Sequence, residues 1–315
     1  MISLDDIESA RERIAGAAVR TPLVRLHVDA PAEIWLKLEN LQPIASFKIR
    51  GAANAVRVAD PAEVEAGLVT ASAGNMAQGV AWVARELGVP ATIVVPEHAP
   101  ATKLAAVERL GGRVMRVPYA DWWRAIEESR VSGVDGLFVH PVEDEGVMAG
   151  NGTIGLEILE DLPDPDAVVV PYGGGGLVTG IASALRPLRP ETRVYAVEPE
   201  TGAALNAALA AGEPTKIDYR PSFVDGSGSP TVLPGMFARV RELIDGAFTA
   251  SLDETAAAVR LLAERTRVIA EGAGGLAPAA ALAGRAGEGS VVCVVSGGNV
   301  DMSTLGPILA GQTPS

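Results

Sequence analysis

Cysteine, histidine and lysine are all scarce in this chain of 315 residues: it holds one Cys (Cys293), three His (His27, His98, His140) and four Lys (Lys37, Lys48, Lys103, Lys216). A lone cysteine excludes an internal disulfide, and its place in the apolar run Val291 to Val295 points to a buried thiol and a reducing cytoplasm. The histidines show no paired spacing, so a histidine metal site or a Ser-His-Asp triad lacks support, and His140 before Pro141 reads as a structural hydrogen-bonder. With so few lysines, chemistry that needs an amine has few candidates. No apolar run approaches the ~20 residues that span a bilayer. Met1 to Gly16 carries acidic residues without the apolar core of a signal peptide. A formal net charge of -13 repels polyanions and excludes nucleic acid and anionic membrane surfaces as expected partners.

What the chain does have is glycine in meaningful places. Val168 to Val170 is a β-branched run feeding Pro171, Tyr172 and the four glycines Gly173, Gly174, Gly175 and Gly176, followed by an apolar segment from Leu177 to Leu185. This reads as strand, tight turn and helix start. Glycines let a backbone curl closely around a ligand, and free N–H groups at a helix N-terminus can seat a phosphate. A tight turn without ligand is the plainer alternative. The glycines run into Leu177 and Val178 instead of Lys-Ser/Thr, which excludes a Walker loop. The strict G-x-G-x-x-G spacing also fails, although Glu198 stands about where a ribose-binding acid would sit.

The remaining chain alternates strand and helix patterns. An amphipathic helix is expected at Leu4, Ile7 and Ile14 behind Ser3, then a strand over Ile34 to Leu38. Ser46 is a candidate cap that places Lys48 in the first turn of a helix, where the dipole disfavours an ammonium and eases its deprotonation. A surface lysine is the other reading of that segment. Strands are expected at Leu68 to Ala71, Ala91 to Val95, Arg113 to Val117, Leu137 to His140, Arg193 to Val197, Val268 to Ala270 and Val291 to Val295. Helices are expected through Met76 to Leu87, Leu104 to Leu110, Ile154 to Leu159 after Gly150 to Thr153, and Val259 to Leu262 behind a Ser251/Glu254 capping box. Asp218 to Pro234 lacks periodicity and reads as a long functional loop. This pattern implies α/β architecture with mostly parallel sheets and helices on both faces. Small polar residues gather at strand ends near Ser72, Gly173, Glu271 and Ser296, where ligands bind in such folds.

The combination Ser46-Phe47-Lys48, Ser72-Ala73-Gly74-Asn75, Gly173 to Leu177 and Ser296-Gly297-Gly298-Asn299 resembles the fold type II pyridoxal-phosphate enzymes, specifically the threonine/serine dehydratase and serine racemase group. The resemblance runs from Leu36 to Asp301. It implies a two-lobed, tryptophan synthase beta-like fold, with residues 1–51 and 145–315 as a large cofactor-binding lobe and 52–144 as a small mobile lobe. It implies pyridoxal 5'-phosphate as cofactor, Lys48 as the lysine forming the Schiff base, and Phe47 close to the ring. Gly173, Gly174, Gly175, Gly176 and Leu177 would hold the phosphate, Asn75 the ring hydroxyl and Ser296 the pyridine nitrogen. Ser72, Ala73, Gly74 and Asn75 would bind the substrate amino acid through its carboxylate. The implied reaction is α,β-elimination of threonine, serine or a related β-hydroxy amino acid to a 2-oxo acid and ammonia by a cytoplasmic homodimer.

Departures from the family pattern sharpen this. Ala73 replaces the second serine that racemases use as a base, and Met76 stands where many dehydratases have His. For a divalent cation Glu198 matches one ligand, but Ala204 stands where a second carboxylate belongs, so no metal residues are assigned. The chain stops near the end expected of the family's catalytic domain, so control by an isoleucine-sensing regulatory domain is not expected. A racemase or β-replacement synthase of the same fold is the alternative within enzymes. An NAD-dependent oxidoreductase or dinucleotide-binding module is the alternative from another class.

Overall fold

The computed structural model describes residues 1–99 and 101–314, with the side chains of 101–103 set aside. Ten strands run β1 (Leu23–Arg25), β2 (Glu33–Lys37), β3 (Leu68–Ala71), β4 (Ala91–Pro96), β5 (Arg113–Val117), β6 (Leu137–Phe138), β7 (Ala167–Pro171), β8 (Arg193–Pro199), β9 (Gly246–Ala250) and β10 (Ser290–Val294). Helices through residue 161 are α1 (Leu4–Arg13), α2 (Lys48–Val58), α3 (Pro61–Ala66), α4 (Asn75–Leu87), α5 (Ala101–Arg109), α6 (Tyr119–Glu128) and α7 (Glu145–Asp161). The later ones are α8 (Gly176–Leu188), α9 (Ala204–Ala211), α10 (Pro234–Val240), α11 (Leu252–Thr266), α12 (Gly272–Leu282) and α13 (Met302–Leu309).

The strands form two sheets. One has six strands in the order β1-β2-β10-β7-β8-β9, the other four in the order β5-β4-β3-β6. Among the strands of the described residues only β1 pairs antiparallel, with Val24 opposite Leu36. The central strands β7 and β10 are buried along almost their whole length. Parallel strands covered by helices on both faces need such continuous apolar runs. Large buried clusters cover each face of the six-stranded sheet, around Ile181 and Val170 on one side and Leu276 and Val291 on the other. The smaller sheet has its own core around Val80, Ile93 and Val139, which also takes in Ile14 and Ala17 from the N-terminal segment.

Four expectations need correction. Val268 to Ala270 is no strand, because its edge is occupied otherwise: the Ile269 carbonyl accepts from Asn40 Nδ2 at 2.8 Å. The helix expected after Gly150 to Thr153 begins much earlier, at Glu145, and runs straight through those glycines. They serve close packing, since a Cβ at Gly150 would strike the backbone of Arg50, and one at Gly155 would meet Ala184 and Ile181 of α8. Ser46 does not occupy the cap of α2; Phe47 does, with the Ser46 hydroxyl 3.4 Å from the Lys48 amide. The strand expected over Leu137 to His140 stops at Phe138. By contrast the Ser251/Glu254 capping box forms in full.

Candidate active site

The strand order explains how distant segments meet. Because β10 lies between β2 and β7, with Cys293 opposite Leu36 on one side and Val169 on the other, three loops emerge side by side at their carboxyl ends. These loops carry Lys48, Ser296 and the four glycines. The first two are stitched together, with the Phe47 amide donating to the Ser296 carbonyl at 3.1 Å and the Gly298 amide to the Ala45 carbonyl at 2.8 Å. The turn after β3 faces them from the smaller sheet. A cleft of about 390 Å³ results, lined by Phe47, Lys48, Ser72 to Met76, Gly173 to Leu177, Glu271 and Ser296. Every residue singled out from the sequence for cofactor or substrate lies on this one cleft.

Lys48 is the amine the cleft offers. Its Nζ donates to the Pro141 carbonyl at 3.1 Å and sits 5.2 Å from the centre of the Phe47 ring. Burial pulls its pKa from 10.5 down to about 8, against the opposing charge of Glu271. A buried ammonium loses hydration, so the neutral nucleophilic form becomes accessible near neutral pH. The other lysines are placed differently. Lys37 is fully buried in an ion pair, Lys216 is exposed away from the cleft, and the Lys103 side chain lies outside the described residues.

The glycine turn fits a phosphate. Gly175 caps α8 in the left-handed region at φ 97°, without a side-chain cap, so the first amides of the helix have no partner from the cap side chain. Among the described residues no protein acceptor meets the amides of Gly173, Gly174 or Gly175. A Cβ at Gly174 would be driven into Val142, and one at Gly175 would approach Tyr172 and Met236 to 3.1 Å. Bare amides, a helix dipole and space only for glycine are the properties of an anion cradle. The Ser296 side chain lines the cleft. The residues present therefore suit pyridoxal phosphate in kind: one cleft offers an anion cradle, a neutral hydroxyl and an amine of lowered pKa.

Asn75 is more constrained than its sequence suggests. Its Nδ2 donates to Glu271 Oε1 at 2.8 Å, while its Oδ1 accepts from Asn299 Nδ2 at 2.8 Å. The amide orientation is thus fixed, leaving one N–H for a ligand. The turn before it is also ordered, with the Gly74 amide donating to the Ser72 hydroxyl at 3.3 Å.

Two features went unnoticed in the sequence. Arg50, two residues past Lys48, is gripped bidentately by Glu39 and by Glu157, with separations from 2.7 to 2.9 Å, and Lys37 joins Glu157 at 2.6 Å. Two cations and two anions are buried together, holding α2 in place. Burial alone would raise the Glu39 pKa, but the charge of Arg50 outweighs it and keeps Glu39 ionised. The second feature is α6, whose Trp122 and Ile126 wall the cleft. Its Trp-Trp pair is an apolar signal in the sequence, yet nothing local says that one ring faces a site. Glu198 is buried, and both its oxygens accept N–H groups, from Leu205 at 2.8 Å and from the amide and side chain of Asn206 at 2.9 and 2.8 Å. It caps α9, which leaves it poorly suited to a ribose hydroxyl. Among the described residues no group of three or more His, Cys, Asp or Glu gathers as a metal site.

Comparison with known proteins agrees with this geometry. The family model described as pyridoxal-phosphate dependent enzyme matches residues 14–297. An L-threonine ammonia-lyase of Thermotoga maritima is 39% identical over 316 residues, covering 98% of this chain and 78% of the relative. A catabolic L-threonine dehydratase of Escherichia coli is 38% identical over 319 residues, covering 98% and 96%. Among solved structures, maize serine racemase superposes with a TM-score of 0.88 at 32% identity, covering 98% and 97%. A processed threonine deaminase isoform 2 from Solanum lycopersicum gives 0.87 at 32%, covering 98% and 86%. With a helix N-terminus stripped for an anion and a buried amine beside it, this chain belongs to the pyridoxal-phosphate dependent enzymes and has the fold type II architecture.

Proposed function

We propose that this protein is an ammonia-lyase that eliminates water from threonine, serine or a related β-hydroxy amino acid and releases a 2-oxo acid and ammonia. The observation that carries the reading is the lowered pKa amine of Lys48 in the same cleft as the bare amides of Gly173 to Gly175. The cofactor, when bound, supplies an electron sink for charge developing at the substrate Cα. Lys48 anchors it and, once its amine is free, accepts the Cα proton. The neutral hydroxyl of Ser296 at the ring nitrogen limits how much charge the ring withdraws, which favours elimination over deeper carbanion chemistry. Ser72, Gly74 and the first amides of α4 bind the substrate carboxylate. Ala73 offers no proton to the opposite face, which supports elimination over racemisation.

The proposal extends to motion: residues 52–144 form a small lobe that closes the cleft on substrate, with α2 crossing the boundary. Purified protein supplied with pyridoxal phosphate should turn yellow and release oxo acid and ammonia from L-threonine or L-serine, and Lys48→Ala should do neither. A colourless wild type, or one that returns only D-amino acid on chiral analysis, would overturn the reading. Structures with and without a substrate analogue test the closure.

A further inference from the structure

Asn299, on the loop after β10, is not among the residues lining the cleft, yet it is bonded to one that is. Its Nδ2 donates to the Ile44 carbonyl at 2.8 Å and to Asn75 Oδ1 at 2.8 Å. A main-chain carbonyl only accepts, so the Asn299 atom facing it must be the amide nitrogen. The Asn75 atom facing that nitrogen is then its oxygen, and the Asn75 nitrogen is turned to Glu271 Oε1 at 2.8 Å. Donors and acceptors are thereby ordered from the backbone outward. Asn299 uses both of its N–H groups in this series, and Asn75 uses one of two.

Position is defined as well as orientation. A Cβ at Gly297, two residues before Asn299, would collide with Glu271 Oε1 and come within 3.3 Å of Asn75 Nδ2, so the bare glycine admits this contact. One turn along α4 from Asn75, a Cβ at Gly79 would lie 3.3 Å from the Lys48 carbonyl oxygen, which puts the first turn of α4 beside the start of α2. Pyridoxal phosphate carries its ring hydroxyl on the carbon next to the one bearing the aldehyde, so the hydroxyl accompanies the group that Lys48 engages. We propose that Asn299 is a positioning residue: by holding Asn75 Oδ1 it turns the second Nδ2 hydrogen of Asn75 to the ring hydroxyl of the bound cofactor. Without Asn299 the plane of the Asn75 amide is held at one edge only and can swing about the Glu271 contact. This role rests on the reading of the cleft as a pyridoxal phosphate site, and its test requires no turnover.

The experiment compares pyridoxal phosphate with its 3-deoxy analogue, which keeps the aldehyde and phosphate but lacks the ring hydroxyl, by calorimetry on the full chain stripped of cofactor. Taking the ratio of the two affinities cancels whatever a variant does to Lys48 or to the phosphate cradle. In Asn299→Leu, which keeps the bulk and removes the donor, the preference for pyridoxal phosphate should fall roughly 3- to 10-fold, the range for one net hydrogen bond. Asn75→Ala should lower the ratio at least as far, and adding Asn299→Leu to it should change the ratio no further. A loop that is merely disturbed would weaken both ligands alike. Equal weakening of both ligands in Asn299→Leu, or a fall in the ratio just as large in the Asn75→Ala background, would overturn the proposal. So would a wild type without the preference, or a wild-type ratio in Asn75→Ala itself. Should Asn299→Leu fail to fold, Asn299→Ala is read by the same ratios. A wild type that shows the preference but releases no ammonia from threonine or serine would sink the ammonia-lyase reading and leave Asn299 in its role.

Discussion

The side-chain amide of Asn75 donates to Glu271 Oε1 at 2.8 Å, joining the helix that follows the smaller sheet to the helix that covers the larger one. The same carboxylate bears on Lys48, raising its pKa against the downward pull of burial. One acid therefore fixes an amide on one side of the cleft and moderates an amine on the other.

Lys48 should titrate near pH 8 in the folded protein instead of 10.5. The uptake rate of pyridoxal phosphate by cofactor-free protein should therefore rise with pH to a midpoint of about 8. In Glu271→Gln the supporting negative charge is gone and the midpoint should move lower. A midpoint that moves upward would contradict the assigned charge coupling. The folded pKa lies below the unfolded one, so the unfolded chain holds more protons between these values. Stability of the cofactor-free form should rise with pH across that window, and Lys48→Met should flatten the rise.

Removing one member of the buried ion cluster strands its partner. Glu157→Ala leaves Lys37 and one side of Arg50 unpaired and should cost about 3–5 kcal/mol in denaturant unfolding. Arg50 lies on the helix that starts at Lys48, so cofactor retention should fall as well. A loss below about 1 kcal/mol would place the cluster with weak surface pairs.

Gly174→Ala sets a methyl against Val142, a side chain that can be shortened. The substitution should weaken phosphate-dependent cofactor binding by roughly 10-fold or more, and overpacking costs about 1–3 kcal/mol. The double variant with Val142→Ala should restore most of both. If it does not, the requirement for glycine comes from the phosphate itself and not from the loop behind it.

His140 accepts two backbone N–H groups at Nδ1, 3.0 Å from Val142 and 2.7 Å from Glu143, so it must be neutral there. Burial lowers its pKa below 6.5, partly opposed by Glu143. The unfolded chain takes the proton first on acidification. Its contribution is complete above pH 6.5 and fades as the pH falls through the folded value. Thermal melts of wild type and His140→Asn should differ most at neutral pH and converge on acidification.

Local patterns in the sequence proved sufficient wherever structure is decided locally. The β7 run, the four glycines and the start of α8 read directly, because β-branching, glycine and helix periodicity change within a few residues. The Ser251/Glu254 box read for the same reason. Val268 to Ala270 has the composition of a strand, but strands need a ladder partner, and here Asn40 took the Ile269 carbonyl instead. The start of α7 lies upstream of Gly150 because glycine between closely packed helices does not end the helix; it lets backbones touch. Arg50 and Glu157 are 107 positions apart, and no spacing rule links them. The segments that line the cleft are legible as motifs because they sit at strand ends. Trp122 is not, because its place on the cleft depends on how α6 lies over β3.

The central place of β10 carries a consequence for biosynthesis. The strand that separates β2 from β7 is the last of the ten in chain order, so a ribosome must pass residue 294 before those two edges can be bridged. Until then the lysine loop and the glycine turn are neighbours across a missing plank, and vitamin capture waits on that late strand.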